Sequence, residues 1–510
     1  MMAMNIAVLG ERNIEKFGEY PSIFFEGRDY TNLEIFDLAK RFSAALTGLG
    51  IGPGDRVGVM LPNIPEIGAC YGGISRMGGV VMPMVFLLAV PEIRHILTDS
   101  GAVAVITSPE FYPNVAEAMK EMTTQPKVIV LGDPTPEGAL SFESLVAGAR
   151  ADEGIVDRAE DDIAVIFYTS GTTGRPKGVM LTHGNLMFNC ENVSTVVPTR
   201  DGDVSIACLP LAHLFGMGST MVGQLFKIKG VLLRWFSAEG FFEAVNTHNA
   251  TSSAVVPTML AYMLSHPDFD SVDWSRFEWL VVAAAPVPVE LADEFEKRTG
   301  ARVLEGYGLT ETSPTVSVMR MQDPRRPGSC GRPVPNVDVA ILDDDDKPIA
   351  TGETGEVCVK GPNVMKGYYN LPDATAEAMR NGWFHTGDMG HLDEDGFLYI
   401  TERKKDLIIR GGFNIYPRDV EEVLYGHPAV METAVVGVPD AKMGEEVRAY
   451  VVLRPGETVS ADELLAHARD HLARYKTPKD VVFLDALPKN PIGKILKKDL
   501  REMAKQSSGI

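Results

Sequence analysis

A chain of 510 residues is too long for one ordinary core and implies at least two domains. Hydrophobic residues at 45% and charged residues at 23% match a soluble globular protein. With 69 acidic against 48 basic residues the net charge is -21, which excludes broad binding to nucleic acid or anionic membranes but leaves room for a local basic pocket.

The N-terminal segment carries Glu11 and Arg12 and lacks the apolar centre of a signal peptide. The most apolar run, 80–90, is broken by Pro83 and is too short to span a bilayer, so it reads as a buried strand or helix edge. Cys70, Cys190, Cys208, Cys330 and Cys358 are scattered with no CxxC pair, and read as small buried hydrophobes in a reducing compartment. These signs place the protein in the cytoplasm without stable membrane insertion. They do not fix its oligomeric state, with which a homodimer is compatible.

Short β-branched runs at 56–60, 103–106, 128–131, 163–168 and 252–256 alternate with helical patterns such as 32–49 and 289–299. This rhythm predicts an α/β fold with largely parallel, covered sheets. After about residue 337, tight turns such as Asp393-Glu394-Asp395-Gly396 separate short strands and predict a β-rich, hairpin-built subdomain. The charged junction Glu402-Arg403-Lys404-Lys405-Asp406 precedes an α+β segment. The expected division is therefore a large N-terminal domain over 1–402, a linker over 403–406 and a small C-terminal domain over 407–510.

The strand predicted at 163–168 runs into Thr169-Ser170-Gly171-Thr172-Thr173-Gly174-Arg175-Pro176-Lys177-Gly178. Its glycines let the backbone approach an anion, four hydroxyls add donors and Lys177 adds a mobile charge. It is a phosphate cradle without the spacing of a Walker A loop. With glycines alone a plain exposed turn would be the better reading; the hydroxyls and the lysine after a buried strand reverse that. In Gly306-Tyr307-Gly308-Leu309-Thr310-Glu311, a glycine turn offers a flat ring, a hydroxyl and a carboxylate suited to a hard cation.

The segment 169–178 resembles the signature loop of the adenylate-forming superfamily, which includes acyl-CoA synthetases, luciferases and peptide-synthetase adenylation domains. Further motifs of that superfamily recur in order: Leu209-Pro210-Leu211-Ala212-His213, the 306–311 turn, Trp383-Phe384-His385-Thr386-Gly387-Asp388, the 402–406 junction and Pro488-Lys489-Asn490-Pro491-Ile492-Gly493-Lys494. The resemblance implies a mobile small domain, ATP and CoA as substrates, and Mg²⁺ held by Glu311. It gives Tyr307 an adenine-stacking role, Thr310 the α-phosphate, Asp388 and Arg403 the ribose, and Lys494 the catalytic lysine that crosses from the small domain. Thr169, Ser170, Gly171, Thr172, Thr173, Gly174, Lys177, Ala284, Glu305 and Gly306 complete the expected nucleotide site. His213 becomes a wall or gate between acyl pocket and thiol tunnel, and Lys405 the hinge.

Arg410-Gly411-Gly412-Phe413-Asn414-Ile415-Tyr416-Pro417 looks like the segment that follows the hinge in CoA synthetases of fatty or aryl acids, which assigns Gly411 and Gly412 to CoA. The end of the chain soon after Lys494 fits the expectation that no carrier domain is appended. The expected acyl pocket comprises His213, Phe215, Gly216, Val256, Pro257, Ala285 and Gly306, mostly small or apolar groups without a cation for a second carboxylate. A hydrophobic monocarboxylate is the expected substrate, with a medium- or long-chain fatty acid ahead of an aromatic acid. Ala283-Ala284-Ala285-Pro286 departs from the Gly-Gly-Ala-Pro common among relatives, which unsettles any transferred chain length. An adenylating enzyme with another acceptor and a non-catalytic nucleotide sensor are the competing readings; the joint presence of Lys177, Glu311, Asp388, Arg403 and Lys494 counts against the sensor.

Overall fold

The computed structural model describes residues 5–151, 154–169, 176–440, 442–490 and 493–507. Among them the strands form two large sheets, a smaller antiparallel sheet and a C-terminal sheet. In the first, Arg56–Met60 pairs in parallel with Val80–Pro83 and Ala104–Thr107, and Lys127–Val130 continues the run. One edge turns antiparallel where Ile163–Thr169 pairs with Lys177–Thr182. In the second, Val204–Ala207, Ser252–Val255, Trp279–Val282 and Arg302–Gly308 lie parallel, followed by the antiparallel Thr315–Val318.

The parallel strands are β-branched and apolar on both faces because helices cover both. Val57, Val81, Val105 and Ile106 are fully or almost fully buried. Helices between strands bury one stripe each: Val289–Thr299 buries Leu291, Ala292 and Phe295 and leaves its charges outward. The helix Asn32–Gly48 opens with a reciprocal cap in which Thr31 accepts from Glu34 N and Glu34 accepts from Thr31 N.

The segment after 337 folds as anticipated into an antiparallel sheet of Asp338–Leu342, Gly355–Lys360, Phe384–Leu392 and Leu398–Arg403. A single turn, Lys404–Asp406, links it to the small domain, whose long hairpin pairs Val430–Asp440 with Gly444–Leu453. The helices Pro417–Tyr425 and Ala461–His471 complete a core around Val420, Leu424, Val435 and Leu464. The run 80–90 divides into a buried strand, Val80–Pro83, and a connection in which Leu87 is exposed. No described helix is long and apolar enough to cross a membrane.

Candidate active site

A cavity of about 1130 Å³ lies between the large and small domains. Several of its walls are the segments that leave the carboxyl ends of parallel strands: Pro257 after Ser252–Val255, Ala283–Ala285 after Trp279–Val282, and Gly306 to Glu311 at the end of Arg302–Gly308. That edge is where open α/β sheets leave crevices, since helices begin there and backbone N–H groups point outward.

Thr169 and Lys177 face each other as the last paired residues of an antiparallel hairpin, and both line the cavity. The loop joining them, with Ser170, Gly171, Thr172, Thr173 and Gly174, lies outside the described residues. Lys177 Nζ sits 5.0 Å above the ring of Tyr368. Tyr368 Oη in turn donates to Glu311 Oε1 at 3.0 Å. Burial pushes the Glu311 carboxyl above its usual range, against the pull of the Tyr368 hydroxyl and Arg403. A buried carboxylate held short of counter-charge in the wall of this cavity fits a hard cation that takes its other oxygens from substrate.

Gly308 has no room for a side chain, because a Cβ there would lie 1.8 Å from the Pro314 carbonyl oxygen. The close approach turns the chain so that Tyr307, Thr310 and Glu311 all line the cavity. Tyr307 Oη donates to Asp388 Oδ2 at 2.7 Å, and Arg403 Nε lies 3.2 Å from Asp388 Oδ1. Asp388 and Arg403 are direct partners across neighbouring strands, and Asp388 holds Arg403 firmly in its charged form.

Lys494 lines the cavity from the small domain. Its loop is closed by Asn490, which accepts from Lys494 N through Oδ1 at 2.8 Å and donates through N to Lys494 O at 2.8 Å. Gly493 meets the large domain at Thr258, whose Oγ1 lies 3.5 Å from the Gly493 carbonyl. Burial, then the neighbouring Arg403, lowers the Lys494 ammonium to about 8. His213 is lowered to about 4 by burial and by Lys494, so its imidazole is neutral near pH 7. Its Nδ1 accepts from Phe215 N at 3.2 Å, which caps the helix Leu214–Gly223 and leaves the proton on Nε2.

His213, Phe215, Pro257, Ala284, Ala285, Glu305 and Gly306 line the same cavity. Gly216 and Val256 do not. Gly216 is pressed against the large-domain backbone, where a Cβ would come within 2.3 Å of the Pro210 carbonyl oxygen, and Val256 is buried beneath the Gly493 turn. Gly218 and Val222 of the same helix form the wall instead. Among the described lining residues between Val193 and Leu291 none is Lys or Arg. Lys405 lines the cavity, whereas Gly411 and Gly412 sit in an exposed turn between Ile408–Arg410 and Phe413–Ile415, off the cavity.

Glu305 has a second set of partners. Only 2% exposed, it lies 3.4 Å from Arg325, and the small domain's Arg418 is another of its charged neighbours. Arg418 donates to the Ile400 carbonyl and lies 3.3 Å from Glu422, whose Oε2 accepts from Val289 N at 3.4 Å. Burial still outweighs both arginines and raises the Glu305 carboxyl to about 7. Tyr368, Thr258, Arg418 and Asn490 were not among the expected site residues; no local motif marks the first three, which act on partners distant in sequence, whereas Asn490 sits inside the 488–494 motif and closes the loop on Lys494 four residues on.

The AMP-binding enzyme family profile matches residues 10–369, and the profile of the AMP-binding enzyme C-terminal domain matches 419–494. The chain belongs to this adenylate-forming family. It is 37% identical to a long-chain-fatty-acid–CoA ligase of Bacillus subtilis over 96% of this chain and 92% of that one. It is 39% identical to a feruloyl-CoA synthase of Amycolatopsis over 92% and 94% of the two chains. The crystal structure of the anthranilate CoA ligase AuaEII in complex with anthranoyl-AMP superposes with a TM-score of 0.96, covering 100% of this chain and 99% of that one at 28% identity. A score that high over both domains means that the small domain sits as it does in that adenylate complex.

Proposed function

We propose that this protein is an AMP-forming acyl-CoA synthetase acting on a hydrophobic monocarboxylic acid, foremost a medium- or long-chain fatty acid. The observation that carries the reading is the placement of Lys494 in the cleft with Asp388, Arg403 and Glu311, while the Gly411-Gly412 turn stays outside. In the first half-reaction a carboxylate oxygen attacks the α-phosphorus of ATP and pyrophosphate leaves. Lys494 and Lys177 supply positive charge where negative charge gathers, and Thr310 supplies a hydroxyl. Tyr307 stacks on the base, and Asp388 with Arg403 receives the ribose. Glu311 would hold Mg²⁺, which screens the phosphates when bound. In the second half-reaction the CoA thiolate attacks the acyl carbonyl and AMP leaves.

Both steps need different groups at one point, which favours rotation of the small domain about Lys405, withdrawing Lys494 and bringing in Gly411 and Gly412. The absence of Lys and Arg along the 193–291 wall supports a substrate with one carboxylate and an apolar tail. Acidic surface charge and five unpaired cysteines fit a cytoplasmic setting. The test is CoA-dependent AMP release with a panel of C6 to C18 fatty acids, benzoate and ferulate. Turnover led by fatty acids is expected. Turnover led by ferulate would transfer the assignment to aryl acids, and AMP release indifferent to CoA would remove the thioester step.

A further inference from the structure

A second cluster of metal-ligating groups lies outside the cleft, in the antiparallel sheet that carries Asp388. Glu356 and Cys358 are two apart on the strand Gly355–Lys360, so their side chains share a face, and Cys358 pairs directly with His385 on the next strand. Cys358 Sγ is 3.3 Å from His385 Nδ1, and Glu356 Oε2 is 3.4 Å from the same nitrogen. The three ligand atoms all lie within 4.8 Å of one another, and all three residues are buried. A tetrahedral zinc ion with its usual bond lengths sets sulfur, nitrogen and oxygen ligands about 3.3–3.6 Å apart, close to these separations.

The other ring nitrogen gives an independent sign. His385 Nε2 is buried without a hydrogen-bond partner, 3.7 Å from Asp346 Oδ1. When Nδ1 binds a metal the proton sits on Nε2, and a carboxylate beyond it commonly orients the ring. Asp346 is itself held by Arg380 at 3.1 Å. Two cations compete for Glu356: Arg380 at 3.4 Å and Lys404 at 3.7 Å. Lys404 has an alternative partner in Asp344 at 2.7 Å, so it can release Glu356 and remain paired.

We propose that Glu356, Cys358 and His385 form a site for a thiophilic divalent cation of the zinc type, with water as fourth ligand and the thiol proton released to solvent. The exposed acidic turn around Asp344 gives the ion its approach, the Asp344 side chain being 90% exposed. The site touches the catalytic region at two points. Glu356 Oε1 accepts from Gly387 N at 3.1 Å, next to Asp388, and Lys404 adjoins the hinge. Occupancy therefore draws on Glu356, displaces Asp388 and slows acyl-adenylate formation. This coupling, unlike the binding, rests on the function proposed above.

The test uses the full chain stripped with EDTA and titrated with Zn²⁺ or Cd²⁺ alone. Calorimetry should give one equivalent bound, cadmium should produce a thiolate charge-transfer absorption, and Cys358→Ser should lose both. X-ray absorption of the zinc-loaded wild type should show one sulfur among nitrogen and oxygen ligands, a readout independent of whether the variant folds. Lack of stoichiometric binding, a zinc shell without sulfur, or a band that survives in folded Cys358→Ser would overturn the site. Zinc should also slow acid-dependent ATP–pyrophosphate exchange at least severalfold in wild type and leave Cys358→Ser unaffected. Exchange unchanged by bound zinc would overturn the coupling, while absence of exchange in zinc-free enzyme resupplied with Mg²⁺ would instead count against the function proposed above.

Discussion

Tyr307 and Asp388 lie 81 positions apart in sequence yet share a 2.7 Å hydrogen bond, so the protein itself sets the ring and the carboxylate relative to each other. The donor serves a buried acid whose other oxygen faces Arg403. Tyr307→Phe keeps the ring and removes only the hydroxyl. A hydrogen bond to a charged group contributes about 1.5–3 kcal/mol, roughly 10- to 150-fold in affinity. KM for ATP should rise within that range while kcat changes less. Steady-state kinetics with unchanged KM would show that the hydroxyl does not position Asp388 for nucleotide.

Lys494 makes a prediction that pH can read. Its ammonium is lowered to about 8, chiefly by burial, so the charged form prevails below that value and is lost above it. For acyl-adenylate formation, kcat/KM for ATP should fall as pH rises through about 8. With ATP bound, phosphate charge favours the ammonium, and the limb in kcat should lie higher. Lys494→Arg should abolish the limb, since a guanidinium stays charged. Lys494→Ala should stop adenylation yet still convert supplied acyl-AMP and CoA to thioester; equal loss of both steps would contradict a lysine used only in the first.

Glu305 predicts a pH dependence of stability with the opposite sign to that of a paired surface acid. Its folded value of about 7 lies above the ordinary carboxyl value of 4.5, so the folded state binds the extra proton. Stability contributed by that proton is present below 4.5 and declines as pH rises towards 7. The span corresponds to on the order of 3 kcal/mol. Glu305→Gln should flatten this part of the profile in denaturant melts between pH 4.5 and 7; an unchanged slope would remove Glu305 as its source.

Ala284 occupies a left-handed conformation, φ 73°, in the wall of the cavity. An alanine there costs about 1–2 kcal/mol, part of which a glycine gives back through unfolded-chain entropy. Ala284→Gly should therefore stabilise the protein by roughly 0.5–1 kcal/mol, visible as a Tm increase of a degree or more. A lower Tm would mean that its methyl group contributes packing greater than its strain.

Much of the scaffold is written locally. The β-branched run at 163–168 and the periodic stretch at 289–299 become Ile163–Thr169 and Val289–Thr299, because a buried strand and an amphipathic helix each require their own spacing. The glycine turn expected over 306–311 is instead strand as far as Gly308, where the glycines let the backbone pack against the neighbouring strand, and the turn falls at Thr310–Thr312. Contacts that finish the site were not legible: Glu311 with Tyr368 and Glu305 with Arg418 join residues distant in sequence, and nothing next to either member announces the other. Gly216 shows the limit at a single residue. Its smallness looked like room for substrate, but the space it leaves is filled by the Pro210 carbonyl.

Polar groups join the two domains: Arg418 on the Ile400 carbonyl, Lys497 on Glu402 at 2.9 Å, Arg454 on Glu294 at 3.8 Å, and Glu422 on Val289 N at 3.4 Å. A hatch fastened by charge exchanges its contacts for water at little net cost when it swings, whereas one fastened by apolar area would have to expose that area each time. Pairs this buried are screened little while closed, and dissolved ions act on them chiefly by competing for the groups once they are exposed. Under the proposed rotation, the ionic strength of the surroundings becomes a throttle on how often the cleft opens, acting on a molecule whose chemical groups stay the same.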